Sequence, residues 1–155
     1  MNYVRVDGAI ALVRQIGPGC LLAKTDIKNA FRIIPIRPDS FDPHGICCEG
    51  EFYYDKAVPM GCSSSCRTFE MFSTALKYVA QHHFERPHLI YILDHFSFTA
   101  RTFSQCRISL EKFVQLCDFL SVPIAHDKTA GKHNVLTSAG IELDTLRMEA
   151  RVPKD

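Results

Sequence analysis

The chain has 155 residues, of which 46% are hydrophobic and 23% charged, and its formal net charge is +1. That length fits one domain with a real core, the composition excludes a disordered segment, and the near-neutral balance lacks the basic excess of a stand-alone nucleic-acid binder. No apolar run reaches the roughly 18 residues of a membrane-spanning helix, so no membrane partner is expected, and Met1-Asn2-Tyr3-Val4-Arg5-Val6-Asp7 lacks the basic-then-apolar order of a secretory signal.

Val6 to Ile16 carries Ala9, Ile10, Val13 and Ile16 at helical spacing, and Gly17-Pro18-Gly19 stops that helix. Cys20 to Asp26 follows as a short apolar strand ending in a carboxylate. Asn29-Ala30-Phe31-Arg32 reads as a turn or one helical turn, and Pro35 and Pro38 leave Arg37 to Pro43 as loop. His44 to Glu49 and Glu51 to Lys56 form a hairpin around Glu49-Gly50. A small-residue loop, Pro59 to Ser65, leads into a helix with Phe69, Phe72, Leu76 and Val79 on one face, ending near His82-His83.

The next stretch, His88 to Phe96, is the most informative. Apolar, β-prone residues carry Asp94 to their end, followed by His95. An aspartate is seldom buried unless it is paired or binds a metal. A turn at Asp94-His95, with Phe96 to Thr99 as the return strand, is the plain alternative. Thr102-x-x-Gln105 is a capping box opening a helix with Leu110, Phe113, Val114 and Cys117 inward, which ends at Ser121 to Ile124. Val135 to Leu143 and Leu146 to Val152 close the chain as a pair of short strands. The seven cysteines form no C-x-x-C pair, so they read as reduced, mostly buried thiols of an intracellular protein. Helices and antiparallel strands mixed in this order predict an α+β fold, an antiparallel sheet with helices packed on one face.

Asp26 and Asp94 each end a predicted strand. If the strands are neighbours, the two carboxylates meet at one sheet edge, where they repel unless protonated or bridged by a cation. A Mg²⁺ pair about 3.5–4 Å apart uses such carboxylates for in-line phosphoryl transfer. If Asp26 is only a turn cap, the two never meet. Met60 and Gly61 precede a helix start that offers N–H groups to a phosphate, and Lys128 is a phosphate contact, an acid, or simply exposed.

Taken together, these stretches resemble a known family. Ala23-Lys24-Thr25-Asp26-Ile27-Lys28-Asn29-Ala30-Phe31 resembles the first palm motif of reverse transcriptases. Val58 to Ser65 with Thr68-Phe69 resembles the second, Ile92-Leu93-Asp94-His95 the third, Asp127-Lys128-Thr129 the fourth, and Leu136 to Ile141 the fifth. Each motif is weak alone; five in order over nearly the whole chain are specific, and the nearest resemblance is to DIRS-like retroelements.

The resemblance implies a right-hand polymerase palm covering residues 1–155, a piece of a longer polyprotein whose fingers, thumb and RNase H regions lie elsewhere. It implies template-directed DNA synthesis on RNA or DNA from deoxynucleoside triphosphates with Mg²⁺, or with Mn²⁺. Asp26 and Asp94 would hold the metals with the Ile27 carbonyl and His95. Asn29 and Ala30 would meet the triphosphate, Phe31 would gate the sugar, Met60 and Gly61 would line the nucleotide and template side, and Lys128 would assist the leaving group. The sequence departs from the pattern at His95, where a second aspartate belongs, at Ile92, where a tyrosine belongs, and at Ala139. Mg²⁺ prefers hard oxygen ligands and imidazole suits softer metals, so little or no turnover is expected. The alternatives are a non-catalytic nucleic-acid- or protein-binding pseudo-polymerase, and a metal-dependent phosphoesterase using Asp26, Asp94 and His95, with His126 as a further ligand by residue type.

Overall fold

A computed structural model describes residues 6–84 and 88–153; the Met1 to Arg5 stretch read for a leader lies outside them. Helix α1 spans Val6–Ile16 and buries Ala9 and Val13. Gly17 closes it with φ +107° and an N–H donated to the Val13 carbonyl at 2.9 Å. Strand β1 (Leu21–Ile27) follows, then a 3-10 turn at Ala30–Ile33. The Pro-rich stretch contains two further 3-10 turns, Pro38–Ser40 and Asp42–His44. Strands β2 (Gly45–Cys48) and β3 (Glu51–Tyr54) form the expected hairpin. Its turn residues Glu49 and Gly50 sit at φ +52° and +81°, the conformation of a tight two-residue hairpin loop.

Helix α2 (Ser65–Phe84) leads to β4 (Leu89–Ile92) and β5 (His95–Ala100). Helix α3 (Phe103–Phe119) is capped by Thr102, whose hydroxyl accepts from the Gln105 N–H at 3.3 Å. Strands β6 (Ile124–His133), β7 (Val135–Ser138), β8 (Ile141–Asp144) and β9 (Glu149–Arg151) complete the chain.

The central sheet is antiparallel, in the order β4-β5-β1-β6. Alternation along β1 and β5 sends Ala23, Ile27, Phe96 and Phe98 to one face, where α2 and α3 cover them. Phe69, Phe96 and Phe113 are fully buried there, with the Phe96 and Phe113 rings 4.7 Å apart. Two of the three α-helices among the described residues therefore lie on one face. Helix α1 packs on the other, where Ala9 and Val13 meet Leu22, Ile90, Leu136 and Leu143 in a second, smaller core beneath the β7-β8 hairpin. Asn134 and Thr145 fasten that end: the Asn134 amide donates to the Gly19 and Cys20 carbonyls at 2.9 and 3.1 Å, and the Thr145 hydroxyl to Cys20 at 2.6 Å.

The structure corrects four expectations. The chain between Ser121 and Val135 is not only a helix end: it contains β6, an edge strand whose polar Ala-His-Asp-Lys-Thr run gives no alternating signal. Gly131 marks it, because a Cβ there would lie 2.5 Å from the Cβ of Ala23, so only glycine lets β6 approach β1. Val135 to Leu143 is two strands rather than one, broken at Ala139-Gly140 with φ +48° and +79°. His95 belongs to β5 itself, and the hairpin turns at Leu93-Asp94. Finally, Cys20, Cys106 and Cys117 are buried, whereas Cys47, Cys48 and Cys66 are exposed on the β2-β3 hairpin and the start of α2; all seven are free thiols.

Candidate active site at the sheet edge

The register of β1 against β5 sets Asp26 opposite His95 and Lys24 opposite Ser97. Side chains two apart on a strand share a face. Lys24, Asp26, His95 and Ser97 therefore stand together on the face opposite the large core, and all four are only partly buried. The β4-β5 turn brings Asp94 beside them. Leu93 takes φ +53°, a left-handed conformation that costs a β-type residue about 1 kcal/mol or more and needs support. That support comes from two sides. The fully buried Ser73 of α2 donates its hydroxyl to the Leu93 carbonyl at 2.7 Å, and the Ile27 N–H donates to the Asp94 carbonyl at 2.9 Å.

A bulge in β6 adds the cation. Asp26 pairs with Ala125 and Lys24 with Ala130, so residues 126–129 stand opposite Thr25 alone. The bulge is tied by Thr129, which donates to the Ala125 carbonyl at 3.0 Å and meets the Thr25 hydroxyl at 2.8 Å. It carries Lys128 over the site, with Nζ 3.9 Å from Asp26 Oδ2. Lys128 is largely exposed, so this ion pair contributes at most about 1 kcal/mol.

His95 is the hub. Its Nδ1 lies 2.5 Å from Asp26 Oδ1, and its Nε2 lies 2.7 Å from Ser138 Oγ and 3.1 Å from Ser97 Oγ. The two serine hydroxyls are 2.9 Å apart. An ionised carboxylate only accepts, so Nδ1 carries the proton and donates to Asp26. Burial pushes the Asp26 carboxyl up, but the His95 hydrogen bond and charge, with Lys128 and Lys24, outweigh it and hold the group below its ordinary value. Asp94 moves the opposite way: burial raises it, and the neighbouring Asp26 charge adds to that, against partial relief from its backbone hydrogen bond, His95 and Lys128.

Asp26, Asp94, His95 and Lys128 are thus brought to one place, beside Ile27. Asn29 and Ala30 follow directly, at φ +60° and +30°. Consecutive positive-φ residues turn the backbone sharply at this point. Phe31 is partly buried with its ring 5.0 Å from Phe69, so it packs against the core. Met60 is exposed and Gly61 sits at φ +86°, on a loop joined to the Phe31 turn by the Val58 N–H to Ile34 carbonyl bond and the Pro35–Ala57 bridge. His126 is exposed on β6, and among the described residues no hydrogen bond or ion pair joins it to the Asp26 group. Sequence reasoning missed Ser97, Ser138, Ser73 and Lys24 as members of the site. Ser97 was recoverable, since it lies two residues beyond His95; Ser138 was not, since only the fold brings β7 there.

The donor set is a poor match for a pair of Mg²⁺ ions. Mg²⁺ demands near-octahedral oxygen coordination. Here one oxygen of Asp26 already accepts from His95 and the other faces Lys128, while Asp94 is shifted toward its neutral form. Among the described residues no three His, Cys, Asp or Glu side chains are grouped so as to hold a metal ion.

No family model and no curated protein matches this sequence. Solved structures do. A foamy viral protease-reverse transcriptase in complex with double-stranded DNA superposes with a TM-score of 0.73 at 20% identity, over 86% of this chain and 26% of that one. The dRH form of the foamy viral protease-reverse transcriptase, also with double-stranded DNA, gives 0.76 at 19% identity, over 94% of this chain and 24% of that one. Apo telomerase from Candida tropicalis, truncated from its C-terminal domain, gives 0.63 at 14% identity, over 96% of this chain and 39% of that one. The chain thus spans well under half the length of each of these proteins. Its α+β architecture, an antiparallel sheet backed by helices, is a reverse-transcriptase-like palm fold.

Proposed function

We propose that residues 1–155 are the palm region of a retroelement RNA-directed DNA polymerase, of the DIRS-like type that the motifs resemble. The observation that carries this reading is the meeting of Asp26 and Asp94 at one sheet edge, with Lys128 over Asp26 and the left-handed Asn29-Ala30 turn beside them. A template with its primer and deoxynucleoside triphosphates are the ligands this implies, and the fingers, thumb and RNase H regions of a longer polyprotein are its partners. The foamy viral neighbours solved with double-stranded DNA and with an RNA/DNA hybrid support nucleic acid as the partner class.

In this reading Asp26 and Asp94 are the acidic pair, and the Asn29 and Ala30 N–H groups cradle the triphosphate. Phe31 borders the sugar, Met60 and Gly61 border the base and template, and Lys128 supplies positive charge to the departing pyrophosphate. Divalent metal would supply charge stabilisation at the phosphoryl group. The residues present do not fit a Mg²⁺ pair, because His95 holds the oxygen of Asp26 that such a pair would need. A loss of about 4 kcal/mol in metal occupancy or geometry corresponds to roughly a thousandfold in rate. Turnover with Mg²⁺ is therefore low, and Mn²⁺, which accepts imidazole nitrogen more readily, is the cation for any residual activity.

The same hydrogen bond favours a second reading, a pseudo-polymerase that binds nucleic acid or protein without chemistry. Primer extension with Mg²⁺ and with Mn²⁺, on wild type and His95→Asp, separates the two. The polymerase reading expects little or no extension by wild type and a gain in His95→Asp. Robust wild-type extension with Mg²⁺ would refute the impairment. Template binding with no extension by either protein would favour the non-catalytic reading.

A further inference from the structure

The far end of the central sheet carries a second concavity. Strand β5 runs from His95 to Ala100, which places its end about 17 Å from the acidic pair at a rise of about 3.3 Å per residue. There a cavity of about 260 Å³ opens between the end of α1, the entry to β4 and the first turns of α3. Its walls include Ile16, His88, Thr99, Arg101, Gln105 and Ser109.

The polar lining is rich in donors, and no Asp or Glu among the described residues contributes to it. Arg101 is exposed, and among the described residues no hydrogen bond or ion pair engages its guanidinium. The same holds for the Gln105 side-chain amide and the His88 imidazole. Ser109 differs: its hydroxyl donates to the Gln105 carbonyl at 2.7 Å and belongs to the wall.

Thr99 points to what the cavity is for. It is 6% exposed, on the strand face that also carries His95 and Ser97, and its N–H donates to the His88 carbonyl at 3.2 Å. Among the described residues the buried hydroxyls of Thr25, Ser65, Ser73, Ser138 and Thr145 each have a hydrogen-bond partner, and that of Thr99 has none. A buried hydroxyl left unbonded is costly, so its natural partner is something that enters the cavity. An acceptor that satisfies this hydroxyl, the Gln105 amide and a guanidinium together is an oxyanion. Drug-sized ligands occupy about 300 Å³ or more, so this cavity suits a small charged group rather than a whole nucleotide. A carboxylate is filled by the guanidinium fork alone; a tetrahedral phosphate keeps oxygens for the remaining donors.

We infer that this cavity binds a phosphate group, held by Arg101, the Thr99 hydroxyl and the Gln105 amide. The site is separate from the acidic edge and does not depend on turnover there. The group is either free phosphate or one unit of a nucleic-acid backbone.

The test titrates the full chain with inorganic phosphate at constant ionic strength, with chloride as the control anion, and follows ¹H–¹⁵N spectra of wild type, Arg101→Gln and Thr99→Val. Saturable shifts are expected at the amides of residues 99–105 and not at those of 23–27. Each substitution removes a charge-assisted hydrogen bond and should weaken binding about tenfold or more. Thr99→Val should leave Tm unchanged or raised, because no hydrogen bond within the protein is lost with the hydroxyl. No saturable shift in wild type, or shifts that chloride reproduces, would overturn the site. Undiminished affinity in both variants would overturn it too, as would a fall in Tm for Thr99→Val, which would give the hydroxyl to the fold. A short single-stranded oligodeoxynucleotide that displaces phosphate, and binds Arg101→Gln more weakly, identifies a backbone phosphate as the ligand. Phosphate binding that the oligodeoxynucleotide leaves untouched identifies free phosphate.

Discussion

Neutralising the two aspartates separately should move stability in opposite directions. In a site where facing carboxylates wait for metal, each is repelled by the other, and replacing either with asparagine relieves strain. Here Asp26 is hydrogen-bonded to a side chain, His95, whereas Asp94 has its backbone hydrogen bond and a raised carboxyl set by burial and the Asp26 charge. Asp26→Asn keeps an acceptor for the His95 N–H but turns a charge-assisted hydrogen bond into a neutral one and leaves Lys128 and Lys24 without their counter-charge. Hydrogen bonds to charged groups are about twice as strong as neutral ones, so the cost is about 1–2 kcal/mol, or roughly 2–8 °C in Tm for a domain of this size. Asp94→Asn removes a buried charge that Asp26 repels, and should raise Tm at neutral pH. The pH dependence follows the same signs. Asp26 is held below its unfolded value, so its contribution is present above the unfolded carboxylate range, near pH 4, and is lost as pH falls through the lower folded value. Asp94 is held above, so its contribution is present below that range and lost as pH rises through the higher folded value. Asp94→Asn should therefore flatten the decline on the rising-pH side, and Asp26→Asn the decline at the acid extreme. Thermal melts of both variants across pH 3–8 measure this. A rise in Tm for Asp26→Asn at neutral pH would refute the pairing.

Other consequences can be read in the same preparations. Gly131→Ala forces a Cβ against Ala23 and should destabilise by about 1–3 kcal/mol in denaturant melts, whereas an open-space substitution such as Gly17→Ala should cost only the strain of its positive φ. Ser73→Ala leaves the Leu93 carbonyl without its buried donor, and should cost about 1–3 kcal/mol while speeding amide exchange at the β4-β5 turn. Titration with a thiol reagent should modify Cys47, Cys48, Cys62 and Cys66 in the native state. Cys62 should react fastest, because the Ser64 hydrogen bond lowers its thiol. Cys117, pushed up to about 12 by burial, should react only on unfolding, and Cys20 and Cys106 likewise.

What could be read from the residues and what could not divides along physical lines. Helix α1 with its Gly17 stop, the Thr102 cap and the Glu49-Gly50 hairpin rest on local chemistry, in which a periodicity or a turn residue sits next to its consequence, whereas strand spacing left the meeting of Asp26 with Asp94 open and only the family resemblance implied it. Strand β6 was lost because an edge strand with a bulge needs no alternation; its one local mark, Gly131, acquires meaning only against Ala23. The role of His95 was only half legible. Its residue type spoke against a hard-metal site, but did not say that Nε2 would meet Ser138 across 43 positions of chain. Such a contact is decided by register and packing, which no short window of sequence contains.

The central claim is that the first carboxylate of the acidic pair is already taken by an imidazole N–H. Two-dimensional ¹H–¹⁵N spectra of the histidine rings test it most directly. The account predicts that His95 carries a proton on Nδ1, in a downfield, slowly exchanging signal that shifts in Asp26→Asn. A neutral ring protonated on Nε2 with a bare Nδ1, or a signal indifferent to the substitution at Asp26, would contradict it.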